Sequence, residues 1–547
     1  MAKYSIGIDY GTLSARALLL DLHSGKEVAV SEFVYPHSIL KSEFFDNVTL
    51  ESGMSLQHPQ DYLDGLRFTF HDLLERTGVD PADICGVGID FTSSTTLPVT
   101  ADGTPLCFLE KFRNEPHAYV KLWNHHSAQA EAEELTAVAA VRKEAWLEMY
   151  SGKACSDWLF PKLYETLHKA PGVYQETARY IEAGDWLVWQ LTGKEKRSSS
   201  MAGFKGMWTP ELGYPSNDFF AAVHPLLGDV IGTKVPADVY QAGTFGGTLS
   251  EHGQVLTGLP VGTAVSLPLI DAHAPVCAAG ITHSGQLMMS LGTSGCHIIM
   301  GDKLAQIPGV FGCITGGILP GYVGLDASQA SMGDTFAWFT KNCVPESYAI
   351  EARERGIDIF RLLTEKAEIL PAGSNGILAI DWWNGNRCPY SDFDLSGMIL
   401  GLTLKTKPEE IYRGIIESCA YATRTITDLY QESGITIHDA FAGGGIARKN
   451  PMLMQIYADV LQMDIKVVNS TQAGAKGSAI FAAVAGGAFE TLDAAAAVLA
   501  DKTDITYHPR KEYAAAYDRL YSEYKTLCAY FATENHIMKR LRGFRNQ

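Results

Sequence analysis

Apolar side chains alternate with small or polar ones near the beginning of the chain, and a short turn interrupts this alternation. Ile6 and Ile8 precede the turn, and Ala17 and Leu19 follow it, with the period of two that is typical of β-strands. The turn at residues 11–14 contains glycine, threonine and serine, which offer backbone N–H groups and hydroxyls with little bulk. The pattern therefore predicts a β-hairpin whose turn suits a phosphate group.

A second segment of the same design lies about half a chain further on. Residues 287–300 contain two apolar arms around a turn of small residues, Gly292, Thr293, Ser294 and Gly295. A single hairpin with a Gly-Thr turn is common and is weak evidence for phosphate binding. Two copies at this spacing indicate a duplicated domain in which each half presents one phosphate-binding hairpin.

Strand and helix patterns alternate along the rest of the chain. Further strands are predicted at residues 27–34 and 84–91, and helices at residues 61–76, 185–192 and 407–432. This alternation is typical of an α/β fold. A chain of 547 residues is too long for one hydrophobic core, so two large domains are expected.

The change from one half to the other is predicted near residues 279–284, where an Ala/Gly-rich helix ends. This gives an N-terminal domain over residues 1–281 and a C-terminal domain over residues 282–547, closely joined because no Pro/Ser-rich linker separates them. Tyrosines at helical spacing within residues 510–531 favour core or interdomain packing. The basic residues at 539–545 are predicted to form a solvated terminus.

Charge and cysteine usage narrow the classes of partner. The chain has 44 basic and 62 acidic residues, a net charge of −18, which disfavours nucleic acid and anionic membranes. The ten cysteines contain no CxxC pair, so neither a zinc cluster nor a dithiol motif is suggested, and a reducing cytoplasm is favoured. No signal-peptide pattern or bilayer-spanning apolar run is present in the sequence.

A third glycine-rich site follows a predicted strand at residues 439–442. Gly443, Gly444 and Gly445 lie before a helix predicted to begin near Asn450. A Gly triplet is more often only a tight turn. After two phosphate-type hairpins it favours a nucleotide site, where bare backbone lies against the ribose or the base.

Asp271 is the candidate for catalysis. It follows an apolar strand predicted at residues 265–270 and precedes a small-residue helix at 274–280. A carboxylate at such a strand end projects into the cleft, where it can accept a hydroxyl proton and face Mg²⁺ together with Asp9. The alternative is that Asp271 caps the helix.

Three other polar sites are candidates for substrate contacts. Residues 92–96 place several hydroxyls, including that of Thr95, at the end of a strand. Lys205 is flanked by apolar residues, which would make it a notable buried lysine. The alternative is an ordinary exposed lysine. Asp326 is predicted to follow a strand at residues 322–325 and leads towards an aromatic helix.

With these residues in view, the chain resembles the FGGY family of carbohydrate kinases over nearly all its length. Residues 397–402, with Glu410, Ile411 and Glu417, are similar to the family's C-terminal signature, and the chain departs from it at Gly414. A looser match to the N-terminal signature lies at residues 156–162. Three segments point within the family to the branch that phosphorylates ribulose: residues 90–92, 201–205 and 381–387.

The resemblance implies two duplicated actin-like (ribonuclease H-like) ATPase domains with ATP in the cleft between them. It implies ATP and Mg²⁺ as cofactors and the conversion of L-ribulose to L-ribulose 5-phosphate in L-arabinose catabolism. Two alternatives stay open: another kinase of the family, acting on D-ribulose, xylulose or a pentitol, and a non-kinase ATP-binding scaffold of the actin-like group. The sequence does not set the oligomeric state, and a homodimer is one option.

The resemblance and the turn patterns together assign residues to each ligand. Asp271 matches the family's catalytic base, and Asp9 and Asp271 are expected to hold Mg²⁺, mainly through water. The residues expected to contact the sugar are Thr95, Lys205, Asp271 and Asp326. The residues expected to contact the nucleotide are Gly11, Thr12, Ser14, Arg16, Gly292, Thr293, Gly333, Gly444, Gly445 and Asn450.

Overall fold

Two seven-stranded sheets form the centre of the computed structural model, which describes residues 3–46, 48–310, 312–374 and 376–545. The strands are Tyr4–Tyr10 (β1), Ser14–Asp21 (β2), Glu27–Val34 (β3), Leu56–Gln57 (β4), Ile84–Phe91 (β5), Thr96–Val99 (β6), Val120–Lys121 (β7), Arg179–Glu182 (β8), Arg197–Ser198 (β9), Val239–Tyr240 (β10), Phe245–Thr248 (β11), Ala264–Ser266 (β12), Leu269–Ile270 (β13), Gln286–Leu291 (β14), Gly295–Gly301 (β15), Cys313–Thr315 (β16), Val323–Gln329 (β17), Leu378–Ile380 (β18), Met398–Leu400 (β19), Asp439–Gly443 (β20), Ile465–Val468 (β21) and Thr503–Tyr507 (β22).

Helices cover both sheets. They are Pro59–Thr77 (α1), Gln129–Arg142 (α2), Ala145–Met149 (α3), Leu159–Lys169 (α4), Pro171–Glu176 (α5), Ala183–Thr192 (α6), Ser199–Phe204 (α7), Asn217–Val223 (α8), Val230–Thr233 (α9), Glu251–Thr257 (α10), Ala274–Ala278 (α11), Gly333–Asn342 (α12), Glu346–Glu354 (α13), Ile359–Glu368 (α14), Pro408–Glu432 (α15), Gly445–Lys449 (α16), Pro451–Leu461 (α17), Ala473–Ala485 (α18), Leu492–Leu499 (α19), Lys511–Ala529 (α20) and Ile537–Arg545 (α21).

The two sheets repeat one topology. In the first, β1 and β2 form an antiparallel hairpin, β3 continues it, and β1 pairs in parallel with β5. In the second, β14 and β15 form the hairpin, β17 continues it, and β14 pairs in parallel with β20. The predicted hairpins and their duplication are therefore confirmed. In each hairpin three residues separate the strands, which leaves a short turn at the end of the sheet.

The first sheet is covered by a helix from the far end of the chain. The glycines of β1 and β5 allow α18 to approach the sheet backbone: a β-carbon on Gly7 would lie 1.8 Å from the Ala475 carbonyl oxygen, and one on Gly88 would lie 2.0 Å from that of Ser478. The Ala-rich composition of α18 has the same cause, because larger side chains would separate helix and sheet. Residues on both sides of the predicted boundary between 281 and 282 thus share one core, since α18 from the second half packs on the first sheet.

Four predicted elements differ from those observed. The strand expected at residues 265–270 is two short strands, β12 and β13, which both pair with β5. Asp326 lies inside β17 rather than after a strand. A short helix, α16, precedes Asn450. The basic C-terminal segment, predicted only as a solvated terminus, forms a helix, α21: its Arg540 and Arg542 are exposed as expected, but its Met538 is buried and its Leu541 and Arg542 line a cavity.

The predicted tyrosine stripe belongs to the core of the second half. Tyr517, Tyr521 and Tyr524 on α20 are buried against α15, and Tyr421 of α15 lies within their aromatic cluster. Within the ranges that the structure describes, no helix is both long and apolar enough to cross a lipid bilayer.

Candidate active site

A cavity of about 1430 Å³ lies between the two halves of the molecule. Thr12, Lys205 and Asp271 line it from the first half, and Asp326 and Arg387 line it from the second. The cavity opens beside the carboxyl ends of β1, β5 and β13, where ligands bind in open α/β sheets.

Three carboxyl groups lie side by side at this edge of the first sheet. Asp9 on β1 is in register with Asp90 on β5, and Asp271 directly follows β13, its backbone N–H donating to the Phe91 carbonyl at 2.9 Å. Asp90 Oδ2 accepts a hydrogen bond from the Ser478 hydroxyl at 2.7 Å. The parallel pairing of the strands therefore brings together carboxylates that are far apart in sequence.

The three carboxyl groups affect one another's protonation. Burial raises the pKa of Asp90 well above its ordinary value, and the charge of Asp9 raises it further. Burial and the charge of Asp9 also raise the pKa of Asp271 to about 7. Asp271 is thus poised to take up a proton near neutral pH, as a general base requires.

The capping alternative for Asp271 is wrong. Its Oδ1 accepts a hydrogen bond from the adjacent Ala272 N–H at 2.7 Å, and α11 has His273, not Asp271, at its N-cap position. The carboxylate is left at the cavity wall, where it is available to a ligand.

The carboxyl cluster fits a hydrated divalent cation. Because its raised pKa favours the neutral form, Asp90 can donate a hydrogen bond to Asp9, and the negative charge at this edge is carried by Asp9 and Asp271. Among the residues that the structure describes, no group of three or more Asp, Glu, His or Cys side chains is arranged to hold a metal ion by itself. Mg²⁺ usually binds through one or two carboxylates, waters and substrate phosphates, and Asp9 and Asp271 fit that mode.

Lys205 and Asp326 line the cavity, and each is paired with another polar side chain. Lys205 donates from Nζ to Asp157 Oδ2 at 2.7 Å, and although burial alone would raise the pKa of Asp157, Lys205 and Lys162 hold it below its ordinary value. On the other wall, Asp326 Oδ2 lies 3.4 Å from His273 Nε2. The structure thus brings Lys205 and Asp326 to one cavity and gives each a partner that orients it.

Thr95 lies behind the cavity wall. Its hydroxyl is fully buried and bonds the Thr92 hydroxyl at 2.7 Å. Thr92 and Ser93 line the cavity, and Thr95 does not. The structure therefore places the hydroxyls of Thr92 and Ser93, and not that of Thr95, at the cavity wall.

The first turn brings only part of its predicted residues to the cavity. Thr12 lines it and accepts a hydrogen bond from the Trp123 indole at 3.0 Å, while Gly11 donates its N–H to the Ser14 carbonyl at 3.0 Å. Ser14 and Arg16 both donate to Glu32 Oε1 at 2.9 Å. These two side chains are held by β3 in this conformation.

The predicted nucleotide residues of the second half meet at the end of the second sheet. Gly333, at the start of α12, donates its N–H to the Gly292 carbonyl at 3.0 Å, and the Thr293 carbonyl accepts from Met332 at 2.8 Å. A β-carbon on Gly444 would lie 2.4 Å from the carbonyl oxygen of Leu291, directly before the second turn. The second hairpin, the α12 start and the third glycine site thus form one backbone cluster.

Two of these residues have a structural reason for their identity. Gly444 has a φ of +96° and touches the end of β14, so the chain needs a glycine there regardless of any ligand. Asn450 caps α17, its Oδ1 accepting from the Leu453 N–H at 3.0 Å. By contrast, a β-carbon on Gly445 would meet no protein atom within 4 Å.

Three cavity or cluster residues were missed by sequence reasoning. Asp90 is the penultimate residue of a predicted strand, just as Asp271 follows one, so the strand-end argument could have found it. Asp157 lies in a loop and Arg387 in a long segment between β18 and β19. Both belong to segments that carry the family resemblance, residues 156–162 and 381–387, but the sequence alone assigns neither side chain a role in the cleft.

Both halves of the chain match domains of one protein family. The N-terminal domain of the FGGY family of carbohydrate kinases matches residues 4–277, and the C-terminal domain of that family matches residues 287–486. The chain is 46% identical over 539 residues to a ribulokinase of Bacillus licheniformis, covering 98% of each chain. It is 43% identical over 552 residues to a ribulokinase of Halalkalibacterium halodurans, covering 100% of this chain and 98% of the relative.

Solved structures show the same fold. A xylulose kinase from Rhodospirillum rubrum superposes with a TM-score of 0.81 at 22% identity, over 96% of this chain and 99% of the other. A Plasmodium falciparum glycerol kinase with ADP superposes with a TM-score of 0.72 at 16% identity, over 95% and 98%. The predicted two-domain actin-like architecture is confirmed. With family domains matching from residue 4 to residue 486, the chain belongs to the FGGY family of carbohydrate kinases.

Proposed function

We propose that the protein transfers the γ-phosphoryl group of ATP to the terminal hydroxyl of L-ribulose and releases L-ribulose 5-phosphate. The observation that carries this proposal is the full-length similarity, at 41–46% identity, to six relatives named ribulokinase. The ten cysteines are all free thiols, which supports a reducing compartment such as the cytoplasm.

Asp271 is the residue that we assign to the proton transfer. Its carboxylate lines the cavity, and its raised pKa makes it a competent base near neutral pH. It would orient the sugar hydroxyl and accept the proton as the oxygen attacks the γ-phosphorus. Most of the rate enhancement would come from positioning and from charge neutralisation, as in other phosphoryl transfers.

The other residues bind and orient the two substrates. Lys205 and Asp326 would hold the sugar hydroxyls from opposite walls, and the backbone N–H groups of the two turns would hold the phosphates. Mg²⁺, when bound, would neutralise charge on the phosphates, and Asp9 and Asp271 would hold it mainly through water. Burial of the reacting groups between two domains would exclude water and limit ATP hydrolysis.

A panel of sugars tests the proposed substrate. With ATP and Mg²⁺, kcat/KM should be highest for L-ribulose when it is compared with D-ribulose, L- and D-xylulose, ribitol and glycerol. A clear preference for another sugar would assign the protein to a different kinase of the family. ATP hydrolysis that no sugar accelerates would favour the scaffold alternative.

Gly445 offers a selective test of the nucleotide site. Because a β-carbon there meets no protein atom within 4 Å, Gly445→Val should fold normally and place its side chain in ligand space. Blocking a close contact costs about 1–3 kcal/mol, so the KM for ATP should rise by about 5- to 150-fold with little change in the KM for sugar. Gly172→Val, also in open space, is the control. A rise confined to the sugar KM would mean that the nucleotide site is misplaced.

Lys205 and Asp326 should contribute to sugar binding from opposite halves. Lys205→Ala and Asp326→Ala each leave polar partners unpaired in the cleft, so kcat/KM for L-ribulose should fall by about 5- to 150-fold, the equivalent of about 1–3 kcal/mol. The KM for ATP should change less than about twofold. Lys111→Ala, which removes an exposed ion pair with Glu176, is the matched control. Near-normal sugar kinetics in both cavity variants would exclude a shared sugar pocket.

A further inference from the structure

Arg387 is a cavity residue to which the proposed mechanism assigns no role, although it ends the segment 381–387 that carries part of the family resemblance. It lies in the segment between β18 and β19 of the second half and is half-buried at the cavity wall. Its guanidinium makes one long hydrogen bond, from Nη1 to the Ser328 hydroxyl at 3.4 Å. Among the described residues, no carboxylate oxygen lies within 4.0 Å of it. Most of its five N–H donors are therefore available to a ligand.

The other long cationic side chains that line the cavity already have strong acceptors. Lys205 donates to Asp157 at 2.7 Å. Lys153 donates to the Ser391 carbonyl and Arg542 to the Phe393 carbonyl. Arg387 thus differs from these three side chains in having N–H donors without a close acceptor.

The segment that carries Arg387 is held firmly from two sides. From α21, Lys539 pairs with Asp392 at 2.5 Å and Arg542 bonds the Phe393 carbonyl. From the first half, Lys153 bonds the adjacent Ser391 carbonyl across the cleft. Within the segment, Asn386 exchanges backbone hydrogen bonds with Asp392 at 2.8 and 2.9 Å. This support holds the backbone that carries Arg387 in place before any ligand binds, so ligand binding has to order only the side chain.

The substrate of the proposed function has one oxygen that differs in kind from the others. A 2-ketopentose closes its ring through O5 onto C2, so a molecule that is phosphorylated on O5 has to react in its open-chain form, with a free C2 carbonyl. Hydroxyls both donate and accept hydrogen bonds, whereas a carbonyl oxygen only accepts. The pairs Lys205–Asp157 and His273–Asp326 supply both donors and acceptors and suit hydroxyls, while a carbonyl oxygen needs a donor, which the uncommitted N–H groups of Arg387 supply.

We propose that Arg387 binds the C2 carbonyl oxygen of the open-chain ketopentose and thereby determines the preference for ketoses over pentitols. This inference rests on the proposed function and adds a specificity residue from the second half of the chain. Reduction of the carbonyl gives ribitol or L-arabinitol, in which C2 bears a hydroxyl that rotates freely and donates as well as accepts. For these sugars Arg387 contributes less than it does for the ketose.

The test compares the ketose with its two reduced forms in three proteins. Kinetics of the unchanged enzyme, Arg387→Met and Arg387→Lys are measured with L-ribulose, ribitol and L-arabinitol at saturating ATP. For Arg387→Met, kcat/KM should fall about 10- to 100-fold for L-ribulose and less than about threefold for the pentitols. Arg387→Lys keeps one charged donor and should fall between these limits. Arg353→Met, which removes an exposed arginine of α13, is the control.

The outcomes separate a specificity role from a structural one. The inference is overturned if both Arg387→Lys and Arg387→Met lose kcat/KM equally for the ketose and the pentitols. It is also overturned if neither variant loses kcat/KM for any of these sugars. Both outcomes leave the proposed function intact. An unchanged enzyme that does not phosphorylate L-ribulose at all would overturn the proposed function and this inference with it. If Arg387→Met fails to fold, the ratio of ketose to pentitol kcat/KM in Arg387→Lys decides, and an unaltered ratio overturns the inference.

Discussion

Asp271→Asn is expected to lower kcat for sugar phosphorylation by about 10²- to 10⁴-fold while ATP still binds. The carboxylate lies at the cavity wall at the end of β13, and its replacement removes both the proton acceptor and a negative charge that orients the sugar hydroxyl. The amide is nearly the same size, so the fold should be retained. Steady-state kinetics and equilibrium titration with ATP measure the two effects separately.

Two controls make this result specific to Asp271. Asp504→Asn, on the exposed edge strand β22, should leave kcat unchanged. Because burial and Asp9 raise the pKa of Asp271 to about 7, the group is protonated and inactive as a base at lower pH. The unchanged enzyme should therefore lose kcat/KM as the pH falls below about 7. The residual activity of Asp271→Asn should lack that limb. A variant with kcat within a few-fold of the unchanged enzyme would exclude this carboxylate from the mechanism.

Gly7→Val should destabilise the protein by about 3 kcal/mol, at the upper end of the cost of overpacking. A β-carbon at this position would lie 1.8 Å from the Ala475 carbonyl oxygen and 2.5 Å from the Ala479 backbone nitrogen. Backbone atoms cannot rotate away as a side chain can, so α18 would have to move off the sheet. The midpoints of urea and thermal unfolding measure the change.

The matched control for Gly7→Val is Gly172→Val, where the new side chain meets no atom within 4 Å. Its unfolding midpoints should stay close to those of the unchanged protein. Equal midpoints for both variants would mean that α18 does not pack on β1 as closely as the structure shows.

Short-range sequence patterns predict the elements whose formation depends only on neighbouring residues. Both hairpins follow from a period of two around turns of small residues, and the position of Asp271 follows from the end of an apolar strand. The spacing of the tyrosines of α20 matches one face of a helix and predicts packing in the core or between the domains. Each of these inferences needs only a few neighbouring residues.

The features that were not predicted depend on contacts between distant segments. Thr95 looked like a cavity residue because it follows a strand, but Thr92 lies between it and the cavity. The Lys205–Asp157 pair spans 48 positions in the sequence, and neither residue identifies the other. The basic residues of α21 are largely exposed, as predicted, but Lys539 and Arg542 also bond Asp392 and Phe393, and no local pattern indicates these contacts.

The packing of α18 on the first sheet also constrains the order in which the protein is made. The Ser5 hydroxyl donates to the Ala479 carbonyl across 474 positions of the chain, so the first strand and its covering helix are synthesised at opposite ends of translation. When residue 281 leaves the ribosome, β1 and β5 are complete, but the glycine-lined face that α18 covers still lacks its partner. Contacts of such long sequence separation form late and slowly. The nascent N-terminal half therefore has to persist with an open face until residues 473–485 have emerged.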